Sequence, residues 1–422
     1  MLSGKGMAAM KVYVIGGGPA GMMAACSAAY HGAPVTLLEK MDRLGRKLSI
    51  TGKGRCNLTS ALELDQFITR GYAGNGRFLY SSLHTFSNRD LMDFFQSRGL
   101  HLKVERGQRV FPVSDHAHDV VEILQQELRK LKVEVITKAR VDSIIPEGEG
   151  FRITCGSRQY DAPRVIVATG GLSYPGTGST GDGYKWARSL GHHVVEPRPG
   201  LVPLVAREDW IPSLKGLTLK NVQATAYQAD GKRINSEFGE MLFTHFGLSG
   251  PIILSMSRDI GQYLYKTGQT VKVTIDLKPA LTREQLEARL QRDLDRYARR
   301  HFANSLDDLL PRRLIPVIVS LSGIDPHQQS GQIRKEERRR LTELLKALPV
   351  TITATRPVEE AIVTAGGIDV REVNPRTMES CLHRNLFFAG EVLDVDGYTG
   401  GFNLQAAFST GYLAGKHSAR IG

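Results

Sequence analysis

At 422 residues the chain is longer than one compact core usually needs, and its 41% hydrophobic content suits a water-exposed globular protein of two or three domains. No run of about 18 apolar residues occurs, and the opening MLSGKGMAAM is too short and too weakly apolar for a secretory leader, which points to the cytoplasm and away from a membrane. The 55 Lys and Arg against 43 Asp and Glu give +12 and a pI near 9.5, a balance that favours polyanionic partners or simply an anionic cofactor.

The first element is a strand from Lys11 to Ile15, followed by the turn GGGPAG and a helix of small residues ending near Gly32. A second apolar run, Val35 to Leu38, ends at Glu39, so residues 11–40 form one βαβ half-unit. Gly16-x-Gly18-x-x-Gly21 lies between strand and helix. There the first glycine allows the tight turn, the second lets the backbone approach a pyrophosphate, and the third lets helix and strand pack closely. Pro19 and Ala20 complete the turn, whose helix N-terminus offers N–H groups and positive potential to phosphate. Glu39, with Lys40 after it, stands where an acid would accept hydrogen bonds from ribose hydroxyls.

The segment 45–59, GRKLSITGKGRCNLT, reads as a loop in which Arg46, Lys47, Lys53 and Arg55 interleave with small residues. It lies where the chain of a dinucleotide-binding protein would pass the pyrophosphate and reach the redox ring, which makes Arg46, Lys47, Gly54, Arg55, Cys56 and Asn57 candidate cofactor contacts. Helices are predicted over 88–99 and 117–132, then a strand from Arg164 to Thr169 that leads into Gly170-Gly171. Gly176-x-Gly178-x-x-Gly181 is a second apparent fingerprint, but Leu172 to Pro175 part it from the strand and no acid follows at the right distance. It reads as a flexible loop over the cofactor. Residues 196–281 are β-rich and 282–356 helical and arginine-rich, and the whole span reads as an insertion. Residues 282–348 hold 14 basic and 10 acidic side chains, a net charge of only +4, which also fits a solvated helix face. A strand at 386–389 then leads to Gly390-Glu391, and Gly400, Gly401, Phe402, Asn403 and Leu404 open a helix of small residues over 406–415.

The first fingerprint alone does not separate NAD from FAD. The second glycine segment decides for FAD, because flavoproteins of the two-dinucleotide-binding type return such a strand, acid and helix to the cofactor; Glu391 takes the place of the commoner aspartate. The expected fold is therefore α/β, an FAD-binding Rossmann-like domain over 1–195 and 357–422 with an inserted β-rich domain over 196–281 and a helical region over 282–356. Cys26, Cys56, Cys155 and Cys381 show neither C-x-x-C nor zinc spacing, which argues against disulfide reduction and a metal site.

The motifs GGGPAGMMAA, TGKGRCNLT, ATGGLSYPGTGSTGDGY, LFTHFGLSGP, TAGGI and FFAGEVLDVDGYTGGFNLQAAFSTG run through nearly the whole chain. In them it resembles the YhiN/BaiN-like family of bacterial NAD(P)/FAD-dependent oxidoreductases. The resemblance implies a flavin domain interrupted by a β-barrel-like and helical insertion, NAD(P)H as transient reductant, and reduction of a polarised C=C bond by hydride from flavin N5. The target is then an enone or the C5=C6 bond of uridine in ribosomal RNA or its precursor. The positive charge favours the RNA. A small-molecule ene reductase and a flavin-dependent binding module without turnover are the alternatives. Cys56, flanked by Lys53 and Arg55 that would lower its pKa, and His245 are the candidate proton donors, with Thr244, Tyr174 and Tyr398 behind them.

Overall fold

A computed structural model describes residues 10–420; apart from Met10, the opening segment read above as no leader lies outside the described residues. The chain divides into two compact units, one ending at Gly200 and resuming at Val358, the other spanning Leu201–Pro357. The break falls at 200 rather than near 196 because Val194–Gly200 pairs antiparallel with Val363–Ile368.

The first unit is built on five parallel strands in the order Leu386–Phe388, Arg164–Val167, Val12–Ile15, Val35–Leu38, Glu134–Ile136. The middle three are buried along their whole length, as strands covered on both faces must be, and they are almost wholly apolar for that reason. Thr36 and Arg164 are the exceptions: the Thr36 hydroxyl donates to Glu134 at 2.6 Å, and Arg164 Nη1 donates to the Ser418 carbonyl at 2.6 Å.

The fingerprint helix, Pro19–Tyr30, is packed by the C-terminal helix, Phe402–Ser418. A methyl group built on Gly411 would stand 2.3 Å from the Ala20 carbonyl oxygen, and one on Gly415 2.2 Å from that of Ala24. The small residues of both helices are thus there to let two backbones touch. The helix expected over 88–99 is Asn88–Gln96, started by a capping box from Ser87 and Asp90, and that over 117–132 is Ala117–Lys130.

In the inserted unit six strands close a barrel: Leu204–Ala206, Gly247–Ser249, Arg233–Phe243, Thr218–Tyr227, Val271–Asp276 and Leu348–Thr355, which returns to the first. Val271, Val273 and Ile275 point inward while the residues between them do not, the period-two pattern of a strand with one buried face. Leu348–Thr355 lies within the span expected to be helical and differs from its helices in its β-branched alternation. The helices Pro251–Thr267, Arg283–Arg296, Ile315–Ser322 and Lys335–Lys346 share one apolar core with the barrel, so barrel and helices form one unit rather than two. Among the described residues no helix is long and apolar enough to cross a membrane.

Candidate cofactor and active site

The three fingerprint glycines do different work. Gly16 has φ +109° and passes so close to the neighbouring strand that a Cβ would meet the Ala168 carbonyl oxygen at 2.4 Å. At Gly21 a Cβ would lie 1.8 Å from the Gly16 oxygen. Gly18 has ordinary extended geometry, φ −79° and ψ −176°, and a Cβ there would meet nothing within 4 Å. It also caps the fingerprint helix without a side-chain hydrogen bond, so the first-turn N–H groups face that open space. A cradle open only at the second glycine, under a helix N-terminus, fits a pyrophosphate. Glu39 is held beside it: its Oε2 accepts the Gly17 N–H at 2.6 Å and its Oε1 the Met41 N–H at 2.7 Å.

The C-terminal segment returns to this end of the sheet. Gly390 follows the edge strand with φ +78°, and a Cβ on it would press on Ala20 of the fingerprint helix at 2.7 Å. Glu391 is saturated by the protein: Lys47 Nζ reaches its Oε2 at 2.7 Å, and Ser173 Oγ and the Thr364 N–H donate to its Oε1 at 2.9 and 2.8 Å. Gly170, φ +72°, lies alongside, its hypothetical Cβ 3.9 Å from the Glu391 carboxylate. Lys47 and Glu391, 344 residues apart, are largely shielded from water, at 23 and 21% side-chain exposure. The partners Ser173 and Thr364 were not singled out from sequence; each lies in a family motif, but nothing there signals a hydrogen bond to an acid.

Gly401 caps the C-terminal helix at φ +95°, and a Cβ would meet the Thr59 carbonyl at 2.5 Å. Asn57 joins the two segments: with its amide turned so that both ends are satisfied, its nitrogen donates to Thr59 O and Val110 O, and its oxygen accepts the Gly401 N–H at 3.1 Å. Asn403 closes the preceding turn, exchanging hydrogen bonds with the Gly397 N–H and carbonyl, each at 2.8 Å. Phe402 packs edge-on to Phe67 at 4.8 Å, and Leu404 is partly buried.

Other expectations change. The segment 45–59 is not one loop but contains the helix Arg46–Ile50, and its cations are mostly spent on carboxylates. Arg46 pairs with Asp42, and Arg55 grips Asp115 and Glu105 while lying over the Phe111 ring at 4.3 Å, tied to the antiparallel strands Leu102–Glu105 and Arg109–Pro112 and the turn after them. Gly54 takes part through its carbonyl, which accepts the Ala117 N–H at 2.7 Å. Lys40 bonds Asp182 and Thr180 at 2.6 and 2.5 Å, binding the fingerprint unit to the 172–182 segment. Between Gly170 and Gly181 that segment is a loop with one 3-10 turn at Pro175–Thr177, and the helix Asp182–Ser189 follows it. Cys56 is wholly buried, and burial pushes its thiol up to about 12, the reverse of the lowering expected from its basic neighbours. The reason is that the Arg55 guanidinium is engaged elsewhere, which leaves desolvation to dominate. His245 is exposed at the turn between two barrel strands of the inserted unit, edge-on to Phe246 at 4.9 Å.

Residues 10–417 match the family described as HI0933-like protein Rossmann domain. The chain belongs to this family. It is 34% identical over 97% of its length to the 3-dehydro-bile acid delta(4,6)-reductase of Clostridium scindens, 99% of which is covered. It is also 31% identical to the ribosomal RNA dihydrouridine synthase of Haemophilus influenzae, with 96% of this chain and 98% of that one covered. The same function is named for an Escherichia coli relative, 30% identical over 96% of each chain. In fold the chain is similar to 3-ketosteroid delta1-dehydrogenase of Sterolibacterium denitrificans, with a TM-score of 0.52 at 14% identity and coverage of 97 and 99%. The HI0933-like chain is thus an FAD-dependent oxidoreductase with a Rossmann-type cofactor domain, as its motifs led one to expect.

Proposed function

We infer that this protein reduces the C5=C6 bond of a uridine in ribosomal RNA to give dihydrouridine, with NADPH or NADH as the transient electron donor. The observation that carries the reading is that full-length relatives from two organisms, at 31 and 30% identity, are named ribosomal RNA dihydrouridine synthases. The net charge of +12 supports a polyanionic substrate.

When bound, FAD supplies hydride chemistry at N5. The chain's own residues hold and orient it. The open cradle at Gly18 takes the pyrophosphate, Glu39 is placed for the ribose, and the Lys47–Glu391 pair with Gly170, Gly390, Gly400, Gly401 and Asn403 forms the wall the C-terminal segment provides. Reduction of a uracil adds hydride at C6, the β-carbon of the C4 carbonyl, and a proton at C5, so a proton donor and hydrogen bonds to the carbonyl are needed on the substrate side. His245, exposed on its turn, remains the candidate for that proton. Cys56 is not retained, because its thiol is enclosed and its pKa is high.

The 34% identity to a bile acid reductase favours a second reading, reduction of a small enone, which needs the same hydride and proton. Mass-spectrometric mapping of ribosomal RNA from a strain lacking the gene separates the two. Loss of one dihydrouridine, restored by the gene, is the expected result. Unchanged dihydrouridine together with turnover of a small enone by the purified protein decides for the second reading.

A further inference from the structure

We propose that the inserted unit holds RNA phosphates on a basic corner made by Arg299, Arg300, Arg334 and Lys335; the proposal rests on the reading of RNA as substrate. These residues come from two places in the chain that backbone hydrogen bonds bring together. The Ser330 N–H donates to the Arg300 carbonyl at 2.9 Å, the Gly331 N–H to that of Ala298 at 3.1 Å, and the Phe302 N–H to that of Gln328 at 2.9 Å. The stretch after the helix Arg283–Arg296 therefore lies alongside the turn that leads into Lys335–Lys346. His301 and His327, both exposed, stand ring to ring at 5.6 Å on the same junction. Tyr297 lies between Arg296 and Arg300, at 5.3 and 4.4 Å from its ring centre.

What marks this corner is how its charges are used. Several cations of the inserted helices answer nearby carboxylates, Arg283 pairing with Glu343, Arg289 with Asp293, Lys346 with Asp276, and Arg338 with Glu287. Such pairs neutralise each other and hold helices in place. Arg338, only 13% exposed, is one of these, so the run 338–340 is not a uniform phosphate-binding face. Among the described residues others such as Arg292, Arg312 and Arg340 stand singly; the corner differs in that two segments bring several unpaired cations to one junction. At the corner three of the nearby acids are engaged, while Glu336, exposed beside Lys335, and Asp295 make no ion pair among the described residues. Asp308 accepts the Tyr297 hydroxyl at 2.6 Å and pairs with Arg296, Asp325 caps its own turn at the His327 N–H, and Glu337 caps the Arg334 N–H at 2.8 Å. Among the described residues Arg299, Arg300, Arg334 and Lys335 are exposed and have no carboxylate within 4.0 Å. Four cations with Glu336 and Glu337 beside them still leave an excess of positive charge, whose self-repulsion is offset when phosphates take the place of salt ions. Exposed imidazoles and a tyrosine beside them suit RNA, whose unstacked bases rest on such rings.

The test uses the full-length, FAD-loaded protein and ribosomal RNA isolated from the deletion strain. The variant Arg299→Glu/Arg300→Glu/Arg334→Glu is compared with Lys220→Glu/Lys232→Glu/Lys266→Glu, an equal charge change on exposed lysines elsewhere in the same unit. The corner variant should bind RNA at least about tenfold more weakly near 0.15 M salt, with a log–log salt slope smaller by about two or more, since each phosphate contact contributes roughly 0.7 to 0.9. FAD content and NADPH-driven flavin reduction should match the unmodified protein. An equal loss in the lysine variant overturns the corner in favour of diffuse attraction, and wild-type affinity in the corner variant overturns it while leaving the RNA reading standing. If the unmodified protein binds no RNA and the deletion strain keeps its dihydrouridine, the corner and the RNA reading fall together.

Discussion

Gly18→Ala should separate the cofactor from the fold. The added methyl meets no atom within 4 Å, and the backbone at φ −79° and ψ −176° suits alanine as well as glycine. Without FAD the variant should therefore be no less stable than the parent. It should gain roughly 0.4 to 1 kcal/mol from reduced freedom of the unfolded chain. The space the methyl takes is the cradle assigned to the pyrophosphate, so FAD should bind at least about tenfold more weakly, a loss of about 1.4 kcal/mol. The FAD-induced rise in Tm should shrink accordingly, because that rise follows the ratio of free ligand to Kd. Gly21→Ala is the opposite case: its methyl would sit 1.8 Å from the Gly16 carbonyl oxygen, and the apo-protein itself should lose several kcal/mol. The assay is thermal unfolding of both apo-variants with and without added FAD, alongside flavin absorbance of the purified proteins. Full FAD retention by Gly18→Ala, or an apo-Gly21→Ala as stable as the parent, would refute the division of labour among the glycines.

Two further outcomes follow from buried titrating groups. In native protein Cys381, which is exposed, should react quickly with an alkylating reagent at neutral pH while Cys56 and Cys26, both pushed up to about 12 by burial, stay unlabelled until unfolding; labelled Cys56 peptide from the folded protein would contradict the buried-thiol assignment, and Cys56→Ala should keep turnover within a few-fold. Acid should also weaken the fold. His192, enclosed between Glu372 and Ser380 Oγ, is lowered chiefly by burial, and His417 is lowered to about 4 by burial and then by Arg420, Lys416 and His31. Their unfolded forms take up protons near pH 6.5, before the native ones do, so stability falls as pH drops from about 6.5 toward 4. A urea midpoint that stays level between about pH 7 and 5 would rule this out.

The cofactor half was legible because its signals are local. Strand, glycine turn, helix and acid lie within residues 11–40, and the small residues of 402–418 follow from a backbone contact that any larger side chain would break. Leu348–Thr355 was missed for the opposite reason. An eight-residue strand at the end of a helical stretch has too short a pattern to stand out, and its pairing partners, at 204–206 and 271–276, lie far upstream.

Charge was the least legible property, because a cation in a sequence has no meaning until its partner is known. Of the four basic side chains in 45–59, Arg46 meets an acid one turn away, whereas Arg55 finds Glu105 and Asp115, and Lys47 finds Glu391 near the other end of the chain. Among the described residues Lys53 alone of the four, exposed at φ +60°, has no carboxylate within 4.0 Å. The same sorting turns the arginine-rich insertion from a general attraction into a definite place. Arg338, the first of a conspicuous run, is a helix tie, and Arg299 and Arg300, which look no different in sequence, have no carboxylate within 4.0 Å among the described residues. An isolated surface ion pair adds little stability. The pairing pattern therefore bears less on how firmly the unit folds than on which of its charges remain available to a polyanion.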